Sequence, residues 1–344
     1  MNKKPNIMSD EIMMAHVQML PTIIKSYGCD TYTVGWFGGE PLLNWELVEK
    51  WTPIFEKDPK CNNQFIATNG LALGPERQEF LRRYNVQMSI SFDGLWNDIN
   101  RKTKDGKPTL QKYLELKNVL RIHNCKVMVS PDRGGITLAE NYKWFVEEFD
   151  VSSPDFSLVR DDIWHATDVS IFGEELVKLT NMNIDYIKQG KESLVGWYGL
   201  YFLDTWAGKR YGKRPFGCFA GNNGLGFMPD GYIYPCARFG SEKEYPVWSS
   251  FTGSKIEHNY NMFIDPKMYN PSTFEDCKSC SLYQICNAGC TYSQLKYGDG
   301  KAKPLKQLCR LYKMIYSEMG RIVEEVGKTK TFKNIVYNLM RSVG

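Results

Sequence analysis

Seven of the ten cysteines crowd into the 92 residues from Cys218 to Cys309, while Cys29, Cys61 and Cys125 are scattered over the first 217 residues. Written out, the crowded set is Cys218-x12-Gly231-x4-Cys236, then after a 40-residue gap Cys277-x2-Cys280-x5-Cys286-x3-Cys290, and finally Cys309. A C-x2-C pair lets two thiolates from one tight turn reach one metal centre, and later cysteines complete the ligand set when the chain folds back. Four thiolates hold one cubane cluster, so seven suffice for one complete cluster and a second with three protein ligands and an open iron. Two zinc sites would want eight ligands or a histidine. None of His16, His123, His165 and His258 falls inside the cysteine run, His258 lying only in the gap. A structural zinc module remains the alternative reading. A disulfide framework does not fit a large chain whose first residues, Met1 to Asn6 followed by Ser9-Asp10-Glu11, lack the apolar core of a secretory signal.

A second group of residues sits where strands should end. Gly35-Trp36-Phe37-Gly38-Gly39-Glu40-Pro41 closes a β-type run, and glycines at the carboxy end of a parallel strand let a ligand approach the backbone. Thr68-Asn69-Gly70 and Ser91-Phe92-Asp93-Gly94, with Arg101 downstream, close two further runs. Alone, Asp93-Gly94 reads as a turn and Arg101 as a surface charge.

The elements that must position these residues alternate. Strands are expected over Thr31–Gly35, Gln64–Thr68, Gln87–Ser91, Lys126–Ser130 and Asp155–Val159, each short, β-branched or aromatic, and bounded by turn formers. Helical patterns separate them: one capped by Ser9 with a stripe of Ile12, Met13, Val17, Leu20 and Ile24, then stretches around Trp45 to Trp51, Pro75 to Tyr84, Leu110 to Ile122 and Asn141 to Phe149. The strand spacing suits right-handed βα units, so the class is α/β with a parallel barrel or open parallel sheet. Residues 171–207 read as helical, 209–215 as a basic linker and 307–340 as a helical tail. Cys29, Cys61 and Cys125 are expected to be buried as small apolar residues.

Composition sets the outer bounds. Hydrophobic residues at 42%, charged at 24% and aromatic at 14% exclude a disordered, collagenous or low-complexity chain. No run of 18 apolar residues occurs, so no membrane span and a cytoplasmic location are expected. Basic residues are dispersed without an aromatic-interleaved patch, which gives no case for nucleic-acid binding. Residues 1–200 carry 23 basic and 27 acidic side chains, a balance of −4, whereas residues 201–344 carry 20 and 12, or +8. That excess suits the cysteine-rich part if it holds anionic thiolate-ligated clusters.

All seven crowded cysteines and Gly231 together resemble the SPASM domain, the auxiliary-cluster domain appended to radical S-adenosylmethionine (SAM) enzymes that modify peptides and proteins. The resemblance implies that Cys277, Cys280, Cys286 and Cys309 hold a distal 4Fe–4S cluster and that Cys218, Cys236 and Cys290 hold a proximal one. Some members add a proximal cysteine six residues after the first, where this chain has Gly224; the proximal cluster would then keep an open iron for substrate or water. The Gly38-Gly39-Glu40-Pro41 turn resembles the motif with which these enzymes contact the methionine amino group of S-adenosylmethionine. Thr68 and Asn69, and Ser91, Asp93 and Arg101, resemble two later strand ends, Ser91 and Arg101 binding the cofactor carboxylate and Asp93 shaping the site. The expected fold is a partial (β/α)6 radical SAM barrel lacking its first strand over residues 1–207, a SPASM domain over 208–310 and a helical tail over 311–344.

Two departures qualify the resemblance. The family's C-x3-C-x2-C, which binds the cofactor-cleaving cluster, does not occur in the 344 residues, and Met8-Ser9-Asp10-Glu11 stands where the helix that follows it would start. The expectation is therefore an N-terminally truncated member, in which S-adenosylmethionine and a third 4Fe–4S cluster are used only if that segment is supplied. Sulfatase-maturing members also place an aspartate after the second SPASM cysteine, where this chain has Ala237, which argues against formylglycine formation. Asp230 and Arg238 flank that loop, the former as a turn residue before Gly231. The expected function is radical modification of a peptide or protein side chain, with an electron donor such as flavodoxin or ferredoxin as partner. The alternative is a non-catalytic iron–sulfur or zinc scaffold for peptide binding or electron transfer.

Overall fold

The computed structural model describes residues 7–120, 124–161, 163–196, 218, 220–222, 224–265, 273–283, 286, 289–298 and 303–343. The fold is α/β. A five-stranded parallel half-barrel in the order β1 (Tyr32–Trp36), β2 (Cys61–Thr68), β3 (Gln87–Ser91), β4 (Asn124–Val129), β5 (Asp155–Leu158) is followed along the chain by a four-stranded antiparallel sheet in the order β6 (Gly226–Phe227), β7 (Tyr232–Tyr234), β8 (Trp248–Ser249), β9 (Ser254–Lys255). The chain divides into two compact units, Met1–Ser89 with Phe216–Thr273, and Ile90–Pro215 with Phe274–Gly344. Among the described residues no helix is long and apolar enough to cross a membrane.

In the first unit, helix α1 (Asp10–Ser26) starts as expected, with the Ser9 hydroxyl accepting from Ile12 N at 3.3 Å and Asp10 and Glu11 in the first turn. Strand β1 (Tyr32–Trp36), helix α2 (Trp45–Lys57), strand β2 (Cys61–Thr68) and helix α3 (Pro75–Arg83) follow. β2 begins three residues earlier than expected because Tyr32 already pairs with Cys61, across a register shift between Tyr32 and Thr33. Gly35 faces Phe65 on β2, and a β-carbon there would lie 2.4 Å from the ring tip, so a larger residue would have to push the exposed Phe65 ring aside. The antiparallel sheet, β6 (Gly226–Phe227), β7 (Tyr232–Tyr234), β8 (Trp248–Ser249) and β9 (Ser254–Lys255), lies in the same unit.

Three contacts join α1 to that sheet segment. Tyr27 donates to Gly221 O, Tyr260 donates to Ser26 O, and His16, 1% exposed, bridges two loops. Its Nε2 lies 2.9 Å from Met228 O, which can only accept, so Nε2 carries the proton and Nδ1 accepts from Ser250 Oγ at 2.7 Å. Burial holds its pKa below 6.5, with the Met228 contact opposing. The unfolded chain therefore takes a proton that the folded His16 refuses. Stability should be full above pH 6.5 and fall as the pH drops from there toward the folded pKa, by up to about 1.4 kcal/mol per pH unit. Urea midpoints across pH 5–8 should show that slope in the wild type and not in His16→Gln; equal slopes would refute it.

In the second unit, strand β3 (Gln87–Ser91) runs into it from the first, three short helical segments α4 (Asn97–Asn100), α5 (Leu110–Glu115) and α6 (Lys117–Leu120) precede β4 (Asn124–Val129), and α7 (Leu138–Glu147), β5 (Asp155–Leu158) and α8 (Ala166–Lys188) complete the series. The continuous helix expected over Leu110 to Ile122 is broken at Leu116. α7 starts before Asn141, at a capping box in which Thr137 and Glu140 satisfy each other's backbone N–H. Phe92, fully buried, stacks on Tyr113 at 4.5 Å and meets Trp144, Phe145 and Phe149. The tail is two helices, Lys306–Val326 packed on α8, and Lys330–Val343. The expected helix over 171–207 is found as far as Lys188 and gives way to a turn and irregular chain over 189–195; residues 197–207 and the 209–215 linker lie outside the described residues.

Of the three scattered cysteines only Cys125 is buried, in β4, where burial pushes its thiol up to about 12. The filler reading is wrong for Cys29, exposed in the turn after α1, and for Cys61, half-buried at the start of β2. Both stand at element ends, where the chain meets solvent.

Candidate functional site

At the end of β1 the backbone turns at Gly38, with φ +146°, and continues through Gly39; a β-carbon on either would meet nothing within 4 Å. The two glycines form an open backbone ledge beside the exposed Phe37. Glu40 fixes that ledge. It caps the 3-10 turn Pro41–Asn44 by accepting from Leu42 N at 3.1 Å, and the same Oε1 accepts from Thr68 Oγ1 at 2.6 Å. Its Oε2 accepts from Asn69 N at 2.7 Å. One carboxylate thus ties the end of β1 to the end of β2, and Thr68 Oγ1 in turn accepts from Gly70 N at 3.0 Å. Gly38, Gly39, Glu40, Pro41, Thr68 and Asn69 therefore form one structure in which backbone, not the Glu40 side chain, faces outward.

In the second unit Asp93 and Arg101 belong to one network, with Ser91 two residues before Asp93 at the end of β3. Asp93 is fully buried and faces Arg101, with Nη2 donating to Oδ1 at 3.0 Å and Nε 2.9 Å from Oδ2, an ionic contact rather than a well-aimed hydrogen bond. Asp93 Oδ1 also accepts from Met128 N at 2.7 Å. Two of Arg101's nitrogens are turned to Asp93, so Nη1 is the one directed elsewhere. Asn141 holds the turn between them: its Nδ2 donates to Asp93 O and its Oδ1 accepts from Leu95 N at 2.8 Å. Gly94, φ +61°, must be glycine because a β-carbon would lie 2.5 Å from both Asn141 and Phe145. Asn97 donates to Thr109, Thr109 to Arg101 O, and Tyr113 to Ser91 O. Sequence reasoning missed Asn141, Asn97 and Thr109. Each is a short polar residue in the first turn of a helical segment or just before it, and its partners only the fold reveals.

The cysteines come from both units. Cys218 and Cys236 lie in the first, where Gly221 N donates to Pro235 O at 2.7 Å and so ties their two stretches together. Gly226 lets the Cys236 backbone pass, since a β-carbon there would sit 2.7 Å from its carbonyl carbon. Asp230 is the expected turn residue, accepting from Tyr232 N and from the Tyr234 hydroxyl.

Cys277, Cys280, Cys286, Cys290 and Cys309 lie in the second unit. Cys277 and Cys280 share a turn, Cys280 N donating to Cys277 O, and Cys309 stands in the first turn of Lys306–Val326. Burial first, then the neighbouring thiols of Cys309 and Cys280, push the Cys277 thiol up; burial and Cys280 do the same to Cys309. Cys309 also lines a cavity with Cys286, Cys290, Gln294 and Tyr312. Among the described residues no three Cys, His, Asp or Glu side chains converge on one ion-sized point. A cubane does not require such convergence, because its thiolates bind separate irons at separate corners. Cys277, Cys280 and Cys309 are thus electrostatic neighbours, and Cys309 shares a cavity with Cys286 and Cys290; these all-thiol surroundings are chemically compatible with an iron–sulfur cluster.

A family model described as the radical SAM superfamily matches residues 17–146, which contain the Gly38–Gly39 ledge, Glu40, Asp93 and Arg101. Over that span the chain is similar to radical SAM superfamily proteins. It is 22% identical to the radical SAM cyclopropyl synthase TigE of Paramaledivibacter caminithermalis over 91% of the chain and 65% of TigE, so it spans just under two thirds of that relative's length. It is 23% identical to the serine-type anaerobic sulfatase-maturating enzyme of Bacteroides thetaiotaomicron over 98% of the chain and 87% of that enzyme. In fold it is similar to anSMEcpe with bound AdoMet, with a TM-score of 0.71 at 18% identity over 96% of this chain and 90% of the other. The radical SAM span thus includes both strand-end networks, while the cysteine-rich segment lies outside residues 17–146.

Proposed function

We propose that this chain is the body of a radical SAM/SPASM enzyme that modifies a peptide or protein side chain by radical chemistry. The observation that carries the reading is the Glu40 brace, which holds a bare Gly38–Gly39 backbone against the end of the neighbouring strand inside the family-matched span. In this reading Gly38, Gly39 and Pro41 present backbone to S-adenosylmethionine, Glu40, Thr68 and Asn69 fix that backbone, and Arg101, aligned by Asp93, offers Nη1 with Ser91 to the cofactor carboxylate. Cys277, Cys280, Cys286 and Cys309 hold a distal 4Fe–4S cluster, and Cys218, Cys236 and Cys290 a proximal one. When bound, these groups supply electron transfer and a 5′-deoxyadenosyl radical for hydrogen abstraction. Residues 1–207 form the partial barrel, 208–310 the SPASM domain and 311–344 the tail of a cytoplasmic protein served by a flavodoxin- or ferredoxin-type donor. TigE and the sulfatase-maturating enzyme are named for modifying chemistry, and a structure of anSMEcpe holds AdoMet with the Kp18Cys peptide, which supports a peptide as substrate class.

Because no C-x3-C-x2-C occurs in the 344 residues, a second reading stands beside this one: a non-catalytic scaffold that keeps the clusters but not cofactor cleavage. Equilibrium dialysis of S-adenosylmethionine against the anaerobically reconstituted protein separates the two. Binding that weakens about tenfold or more in Glu40→Ala, equivalent to about 1.4 kcal/mol, is the expected result. No binding by a cluster-loaded wild type would favour the scaffold, and wild-type affinity in Glu40→Ala would remove the role given to the ledge.

A further inference from the structure

Leu42, 1% exposed in the 3-10 turn that follows the glycine ledge, is held at both its N–H and its carbonyl. The N–H donates to Glu40 Oε1 at 3.1 Å, and the carbonyl accepts from Arg77 Nη1 at 3.1 Å. The same Nη1 donates to Ala72 O at 3.0 Å. Glu40 and Arg77 thus each connect this turn to the loop that follows β2, the first through Thr68 and Asn69, the second through Ala72. The guanidinium is fixed from another side as well. Its carbon lies 5.0 Å from the centroid of the Trp45 ring, which opens α2 and packs edge-on against Phe80, one turn beyond Arg77 on α3. All of these residues belong to the first unit.

Nothing in α3 itself calls for a cation at this position. Arg77 stands in the first turn, where the helix dipole favours an acid, so its partners outside the helix account for it. One charged nitrogen shared by two carbonyls fixes the spacing of the segments that carry them, since neither can move away without losing a charge-assisted hydrogen bond. Gly38 and Gly39 have no such anchor of their own. They carry no side chains, and a β-carbon on either would meet nothing within 4 Å, so their placement is inherited from the turn that follows them.

We infer that Arg77 is a positioning residue for S-adenosylmethionine: with Glu40 it sets the distance between the 3-10 turn and the loop after β2, and so the placement of the Gly38–Gly39 backbone. The inference rests on the proposed binding of that cofactor at the ledge. The sign of the effect separates positioning from charge. S-adenosylmethionine carries a sulfonium and an ammonium against a single carboxylate, so it is a net cation, and loss of a nearby arginine charge taken alone would strengthen its binding. Lost positioning weakens it. The test is equilibrium dialysis of S-adenosylmethionine against anaerobically reconstituted variants, with thermal midpoints measured on the same samples. Arg77→Ala should weaken binding about fivefold, and Arg77→Lys, which keeps one nitrogen able to donate to both carbonyls, should return to within about twofold of the wild type. Because the two side chains hold one turn, Glu40→Ala with Arg77→Ala should bind within about twofold of Glu40→Ala alone. Arg83→Ala removes a cation from the other end of α3 and should not weaken binding. Unchanged or tighter binding in Arg77→Ala would overturn the inference, as would an Arg77→Lys variant no better than Arg77→Ala. So would loss of the fold in Arg77→Ala, which would make Arg77 a packing residue. A cluster-loaded wild type that binds no S-adenosylmethionine would instead refute the reading of the ledge itself.

Discussion

Asp93→Ala is expected to lower the unfolding free energy by about 3 kcal/mol, the lower end of the range for removing one partner of a buried ion pair. The carboxylate has no exposed surface, whereas the Arg101 side chain retains 24% of its own, so the abandoned guanidinium can recover part of its hydration. Met128 N also loses its acceptor, a cost of about 1–3 kcal/mol if that N–H stays buried. Asp93→Asn keeps an oxygen for Met128 but cannot neutralise Arg101, and should cost less. Because the two side chains face each other directly, Asp93→Asn and Arg101→Gln should not add: the double variant should be about 0.5–3 kcal/mol more stable than the sum of the single losses predicts. Guanidinium denaturation of the four proteins reads this out. A loss under about 1 kcal/mol in Asp93→Ala would mean that the pair is not holding the strand end. The same result bears on the proposed function, in which Arg101 presents Nη1 to a cofactor carboxylate only while Asp93 fixes its other nitrogens.

The pair also marks how far the sequence could be read. All five strands of the parallel sheet were legible, because each is a short β-branched or aromatic run closed by turn residues, and Ser9 announced its helix through the acidic first turn. Their edges were not legible where pairing decides them: β2 extends back to Cys61 because Tyr32 finds a partner there, which no local pattern encodes. The site residues separate in the same way. Gly38 and Gly39 were visible from chemistry alone, as were the cysteines, whose spacing is itself a ligand pattern. Glu40 was visible as a residue but not as a brace, since its three donors come from two strand ends and only the fold brings Thr68 and Asn69 to it. Asn141 was hidden more completely. It is 48 residues from Asp93, in a helix that owes its existence to Thr137 and Glu140, and nothing in its own neighbourhood says that its amide spans another turn.

Cys309→Ala is expected to halve the iron and acid-labile sulfide of the reconstituted chain, from about eight irons to about four. Cys309 is the residue that links the set: its thiol feels Cys280, it raises that of Cys277, and it shares a cavity with Cys286. In the proposed assignment its removal takes a ligand from the distal cluster and leaves Cys218, Cys236 and Cys290, the residues assigned to the proximal one, unaltered. Two control substitutions distinguish ligand loss from general damage. Cys125→Ser places a hydroxyl at a fully buried position of β4 and should cost about 1–3 kcal/mol without changing the iron content. Cys29→Ser alters an exposed position and should change neither stability nor iron. Because ligand binding to the folded state adds to its stability, Cys309→Ala should also lose the gain in thermal midpoint that reconstitution gives the wild type, while the two controls keep it. Full iron content in Cys309→Ala would exclude Cys309 as a ligand, and zinc without sulfide in the wild type would replace both clusters with a zinc module.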